Sequence, residues 1–147
     1  MIFQDYPVFN YQFVTIQVNT SSVTARQYFP DLPNLRDVQT LGIVAYHANI
    51  FEKDNNGVAL VSLNQFLYSS LTLTVGNEEV IQNMDLQCFN PIVGNNVQYN
   101  PFGMLPLKGQ RFDFSKSYVT ITSGQTGDAA PYSYAFGIYY VHPNQSK

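Results

Sequence analysis

The 147-residue sequence predicts an all-β fold, an antiparallel β-sandwich of about eight strands. Three observations predict it. Apolar residues recur at every second position in short runs, and no segment carries the i, i+3, i+4 stripe of an amphipathic helix. Those runs are rich in β-branched and aromatic residues, the side chains that fit a pleated surface. Between them stand Gly, Pro and Asn in combinations that make turns. An immunoglobulin-like sandwich would carry a core of Cys, Trp and Cys, but the chain has one Cys and no Trp. The single jelly roll accommodates this number of unevenly spaced strands in one domain, and it is the preferred form.

The elements follow in order. In residues 11–19, Val14, Ile16 and Val18 face one way while Thr15, Gln17 and Asn19 face the other. Residues 28–37 carry two prolines and read as a loop. Residues 41–51 (LGIVAYHANIF) are apolar on both faces, as a strand inside a packed sheet must be. Asn56-Gly57 suits a type I′ hairpin joining that strand to residues 58–63. A short helical turn is expected at residues 63–69, and residues 67–75 alternate Leu71, Leu73 and Val75 with Thr72 and Thr74. Gly76-Asn77 then predicts a two-residue type II′ turn, with the return strand at residues 79–84. Residues 90–110 hold three prolines and three glycines and read as one long loop. Strands are expected at residues 111–114, 118–122 and 132–141. No internal repeat interrupts a single domain spanning residues 1–147, with residues 1–10 as an N-terminal arm.

Charge narrows the function. Seven Lys and Arg stand against ten Asp and Glu, and charged residues make up 12% of the chain, about half the usual ~25%. Phosphate-directed nucleic-acid binding needs a basic excess, so no nucleic acid is expected as a partner. No run of 18 apolar residues is present, so no helical membrane span is expected, and residues 1–5 lack the basic and apolar regions of a signal peptide. One cysteine allows no intrachain disulfide, which fits a reducing compartment. Asn19-Thr20-Ser21 and Asn144-Gln145-Ser146 match the glycosylation sequon by chance in a chain this rich in Asn.

Catalytic residues are scarce. His47 sits mid-strand among apolar residues and reads as a core or interface histidine, and His142 reads as a solvent-facing strand end. No metal or cofactor is expected, because neither His is joined by Cys, Asp or Glu at ligand spacing, and phosphate-cradling glycine motifs are absent. Cys88, the lone cysteine in Leu86-Gln87-Cys88-Phe89, reads as a small buried hydrophobe. Glu78-Glu79 reads as a solvated pair, while Asp31, Asp37 and Asp54 bond local backbone groups. The chain is therefore not expected to be an enzyme.

The positive signal is polar without charge. Fourteen Asn and twelve Gln outnumber the charged residues, and eleven Tyr with eleven Phe exceed the needs of a small core. Aromatic residues are enriched and charges depleted at the centres of protein–protein interfaces. Candidate contact residues are Tyr99, Phe102, Met104 and Leu105 of the long loop, with Phe3, Tyr6 and Phe9 of the arm.

The run SSLTLTVGNEEVIQNMDLQCF at residues 69–89 resembles a segment of small virion proteins of tailless, icosahedral bacteriophages, and QRFDFSKSYVTI at residues 110–121 is similar to a strand pair near their C-termini. The two runs cover roughly a quarter of the chain. The resemblance implies a bacteriophage structural protein, a jelly-roll capsid subunit of penton, vertex or minor type. Its partners would be copies of itself, as a pentamer rather than a trimer, and other capsid proteins. It would be assembled in the host cytoplasm and reside in the virion. The major capsid proteins of double-jelly-roll viruses are much longer than this chain, which favours the vertex role. The alternative is a carbohydrate- or receptor-binding spike or lectin-like module, in which Tyr rings stack on sugars and amides bond their hydroxyls.

Overall fold

The computed structural model describes residues 10–19, 26–46, 53–89, 92–93, 96–97, 105–121 and 130–142. In chain order these hold β1 (Asn10–Val18), β2 (Gln27–Tyr28), β3 (Gln39–Tyr46), α1 (Leu63–Leu67), β4 (Ser69–Val75) and β5 (Glu78–Asp85). They continue with β6 (Ile92–Val93), β7 (Asn96–Val97), β8 (Leu105–Gln110), β9 (Tyr118–Ile121) and β10 (Tyr132–Val141). Two four-stranded sheets result, one in the order β1-β10-β3-β8 and the other in the order β2-β9-β4-β5, while β6 and β7 pair with each other. Every named strand pair is antiparallel.

The period-two pattern explains the core. Val14, Ile16 and Val18 of β1, Ile43 and Ala45 of β3, and Tyr134, Phe136 and Ile138 of β10 point inward from the first sheet. Leu71 and Leu73 of β4 and Val119 of β9 belong to the same buried cluster from the second sheet. Phe29, just after β2, stacks against both Phe136 and Phe114, at 5.2 Å and 5.3 Å. Each such side chain stabilises the fold by about 1.5–3 kcal/mol relative to exposure. Strand β10 is also buried on the side away from this cluster, at Ser133 and Ala135.

Turn chemistry follows the residues. Val75 pairs with Glu78 across the two-residue Gly76-Asn77 turn, and Gly76 has the positive φ of +62° that position requires. The Asn56-Gly57 turn differs from the expected type I′. Gly57 alone of the pair has a positive φ, +81°. Its N–H bonds the Asp54 carbonyl, and the Asp54 N–H bonds Val58. This is a type I turn closed by a left-handed glycine, and the Asp54 carboxylate secures it by accepting from the N–H groups of Asn56 and Val58 at 2.8 Å. The return stretch contributes isolated bridges, Lys53 to Ala59 and Leu60 to Ser133, in place of a full strand. Ser62 caps α1 by accepting from the Gln65 N–H at 3.2 Å.

Two expectations change. Residues 111–114 are not a strand, and the pairing lies just before them in β8, inside the stretch read as a loop. Pro106 is tolerated there because β8 is the edge of its sheet. Asn10, the last residue of the expected arm, is already the first residue of β1, opposite Tyr140.

Candidate functional site

Of the expected contact residues, Leu105 begins β8 opposite Ile43. Phe3, Tyr6, Phe9, Tyr99, Phe102 and Met104 lie outside the described residues, as does His47. His142 follows β10 with its ring edge-on to Tyr140, at 5.8 Å. Cys88 is exposed, contrary to the expectation of burial. It sits in a 3-10 turn, Leu86–Phe89, whose three-residue period puts Leu86 and Phe89 in the core together and turns Gln87 and Cys88 away from it. Asp31 forms a local ion pair with Arg36, whose Nη2 alone donates to both carboxylate oxygens, at 2.9 Å and 3.2 Å.

Two surfaces stand out, one on the outer side of each sheet. On the first sheet, Tyr11 and Tyr139 are cross-strand partners with ring centroids 5.1 Å apart. Phe13 lies 6.0 Å from Tyr46. The Tyr11 and Tyr46 hydroxyls meet at 3.0 Å, spanning β10 from the strands on either side of it. They meet over Gly137, where a Cβ would lie 2.6 Å from Tyr11 Cε1 and 2.7 Å from Tyr46 Oη. Glycine is what lets the rings close over the strand. Tyr11 stays 44% exposed, and partial burial raises the pKa of its phenol. The nine residues of β1, eight of β3 and ten of β10 contain no Asp, Glu, Lys, Arg or His. The three strands themselves therefore bring no charge to this aromatic face, and the carboxylate of Asp54, from the neighbouring turn, covers one end of it by accepting from the Ser133 hydroxyl at 2.7 Å.

The outer side of the second sheet is polar. Ser70, Thr72 and Thr74 of β4 point away from the core yet are buried. Asn83 of β5, with a positive φ of 50°, sits where the β4–β5 register shifts. Its backbone N–H donates to Thr72 Oγ1 at 3.0 Å, and its side-chain Oδ1 accepts from the hydroxyls of Ser70, Thr72 and Thr120 at 3.3–3.4 Å. Further along, Tyr28 of β2 opposes Tyr118 of β9. Arg26 stacks over the Tyr118 ring at 4.4 Å, and the Tyr118 hydroxyl donates to Glu79 at 2.8 Å. Hydrogen bonding to Tyr28, together with the field of Tyr118, raises Arg26 above its ordinary pKa. Lys116 reaches Asn77 Oδ1 at 2.7 Å. These groups line a groove of about 310 Å³. An adjoining hollow of about 410 Å³ shares Ser115 with it and brings together Arg36, Arg111, Asp31 and Asp113 over buried Phe112 and Phe114.

Inside the sandwich, Ser69 donates to the Gln65 carbonyl at 2.6 Å, so the Tyr134 hydroxyl donates to Ser69 and accepts from Gln65 Nε2 at 2.8 Å. The cluster ties α1 to β10. Among the described residues no three His, Cys, Asp or Glu side chains gather as metal ligands, and no helix is long and apolar enough to cross a membrane.

The sequence marks the excess of Tyr and Phe but does not single out Gly137, Tyr46 or the Arg26 groove. The signal for the first was the absence of charge from three whole strands. The groove has none, because its residues are scattered along the chain. No protein family matches the sequence, and no curated protein or solved structure matches the chain.

Proposed function

We propose that the chain is a bacteriophage structural protein, a single jelly roll that assembles through its surfaces as a penton, vertex or minor capsid subunit. The aromatic face formed by β1, β10 and β3 carries this reading. Interface cores lose charge and gain aromatic residues, and here three neighbouring strands carry no charge at all. The strand orders support the fold half of the proposal. Order β1-β10-β3-β8 facing β2-β9-β4-β5 places strands distant in sequence side by side in both sheets, as two interleaved Greek keys do. Assembly runs by burial: each subunit presents this face to a different surface of the next, closing into a ring around a rotation axis, a pentamer in preference to a trimer. Neighbouring capsid chains then cover the remaining loops, with Phe3, Tyr6, Phe9, Tyr99, Phe102, Met104 and Leu105 among the contacts. The working location is the virion, after assembly in the host cytoplasm.

Light scattering coupled to size-exclusion chromatography tests the proposal. Five copies of 16.6 kDa are expected in one symmetric particle, visible as a five-fold ring by electron microscopy. Tyr139→Glu, which puts a charge at the centre of the face, is expected to return the particle to monomers. A wild-type chain that stays monomeric at high concentration and leaves capsid chains unbound would overturn it, as would a Tyr139→Glu variant that assembles normally.

A further inference from the structure

We propose that the groove on the outer side of the second sheet binds a carboxylate-bearing sugar, of the kind that terminates an acidic surface glycan. The site combines three chemistries that few other ligands need together. The first is held positive charge. Of the seven Lys and Arg in the whole chain, Arg26 and Lys116 both line this groove, and each is fixed before a ligand arrives. Arg26 lies on the Tyr118 ring at 4.4 Å, and Lys116 is tied to Asn77 Oδ1 at 2.7 Å and to the Gly76 carbonyl at 3.4 Å. Held cations lose less side-chain freedom on binding, and a guanidinium fork suits a carboxylate. The second is an exposed ring: Tyr28, at 47% exposure, offers a flat face on which a sugar's C–H groups can rest. The third is a set of hydroxyl partners. Glu79 Oε2 takes the Tyr118 hydroxyl at 2.8 Å, which orients the carboxylate and leaves Oε1 for a ligand hydroxyl, beside the Asn77 amide.

Competing ligands each waste part of the site. Inorganic phosphate would use the cations but leave the Tyr28 ring and the hydroxyl-accepting Glu79 idle. A neutral sugar would use the ring and the acceptors but give the Arg26 fork no carboxylate to hold, while Lys116 would keep only its existing ion pair with Asp113 at 3.9 Å. About 310 Å³ is the small end of ligand pockets, enough for one sugar residue with the rest of a glycan in solvent. The site does not rest on the capsid reading, because groove and aromatic face lie on different sheets.

Isothermal titration of the full chain with sialyllactose, lactose and inorganic phosphate separates these ligands. Sialyllactose is expected to bind at least roughly tenfold more tightly than lactose or phosphate. Arg26→Gln is expected to erase that preference, and Tyr28→Ala to weaken sialyllactose by a similar factor, while Arg36→Gln in the adjoining hollow changes nothing. Circular dichroism checks that each variant is folded. Equal binding of sialyllactose and lactose, tighter binding of phosphate, no binding at all, or a folded Arg26→Gln variant that keeps the preference would each overturn the proposal. Assembly measured on the same Arg26→Gln variant keeps the two proposals separate, since the aromatic face that carries the assembly reading lies on the other sheet.

Discussion

At Gly137 a single missing Cβ decides a surface. The Tyr11 and Tyr46 rings occupy the space a side chain would fill, and their hydroxyl bond spans β10 because nothing rises between them. Gly137→Ala is expected to push the rings apart. Since the atoms met are the far ends of two side chains, the cost should be about 1 kcal/mol in urea unfolding, with a changed near-ultraviolet tyrosine signal. An unchanged spectrum would mean that the rings do not depend on the notch. Tyr118 yields a pH dependence. Burial raises its phenol above the ordinary value of 10.0, and the hydrogen bond to Glu79 raises it further. The folded chain therefore favours the neutral phenol, which stabilises the fold fully below that ordinary value and loses its effect as pH rises through the folded one. Tyr118→Phe should cost about 1 kcal/mol at pH ~8, and its deficit against wild type should shrink at pH ~11, read by urea titration at both. A deficit constant across that range would refute the assignment.

Strands and turns were legible wherever local chemistry sufficed. The bounds of β10 fall where its aromatic run begins and ends, and the Gly76-Asn77 hairpin forms because a two-residue loop with glycine first matches the strand twist. Elements set by distant partners were less legible. Residues 105–110 contain Pro106 and Gly109, poor strand residues taken alone, and they pair because Gln39–Tyr46 offers a free side at the sheet edge. Residues 111–114 alternate correctly but turn away into a 3-10 segment, where Asp113 accepts from the Ser115 N–H. Strand β5 shows a third case. Its edge position leaves it mostly exposed, and the left-handed Asn83 with its shifted register breaks the flat row of donors that another chain could extend. Nothing in the residue pattern around Asn83 marks it as a bulge, because the hydroxyls it meets come from β4 and β9.

For the molecule as a whole, charge is the organising quantity. The scarcity of Lys, Arg, Asp and Glu was readable at once, but their distribution was not. Carboxylates collect on β5 and charges of both signs around Ser115, while the opposite sheet's β1, β3 and β10 have neither sign. Assembly through the aromatic face should therefore change by less than about threefold in dissociation constant between ~0.05 M and ~0.5 M salt, measured by sedimentation. A strongly salt-weakened oligomer would place the contact elsewhere.

The strand order also bears on how the chain comes to be folded. The two latest strands, β9 and β10, sit in the interiors of the sheets: β9 separates β2 from β4, and β10 separates β1 from β3. Neither sheet can close around its middle until the ribosome has delivered Tyr118–Ile121 and Tyr132–Val141. Until then β1 and β3 wait with open sides, and most of the pairing that ends the wait joins residues far apart in the chain, which is slow to form. Self-association before that point would capture an incomplete sheet, so the timing of synthesis against encounter with other copies becomes part of the protein's biology.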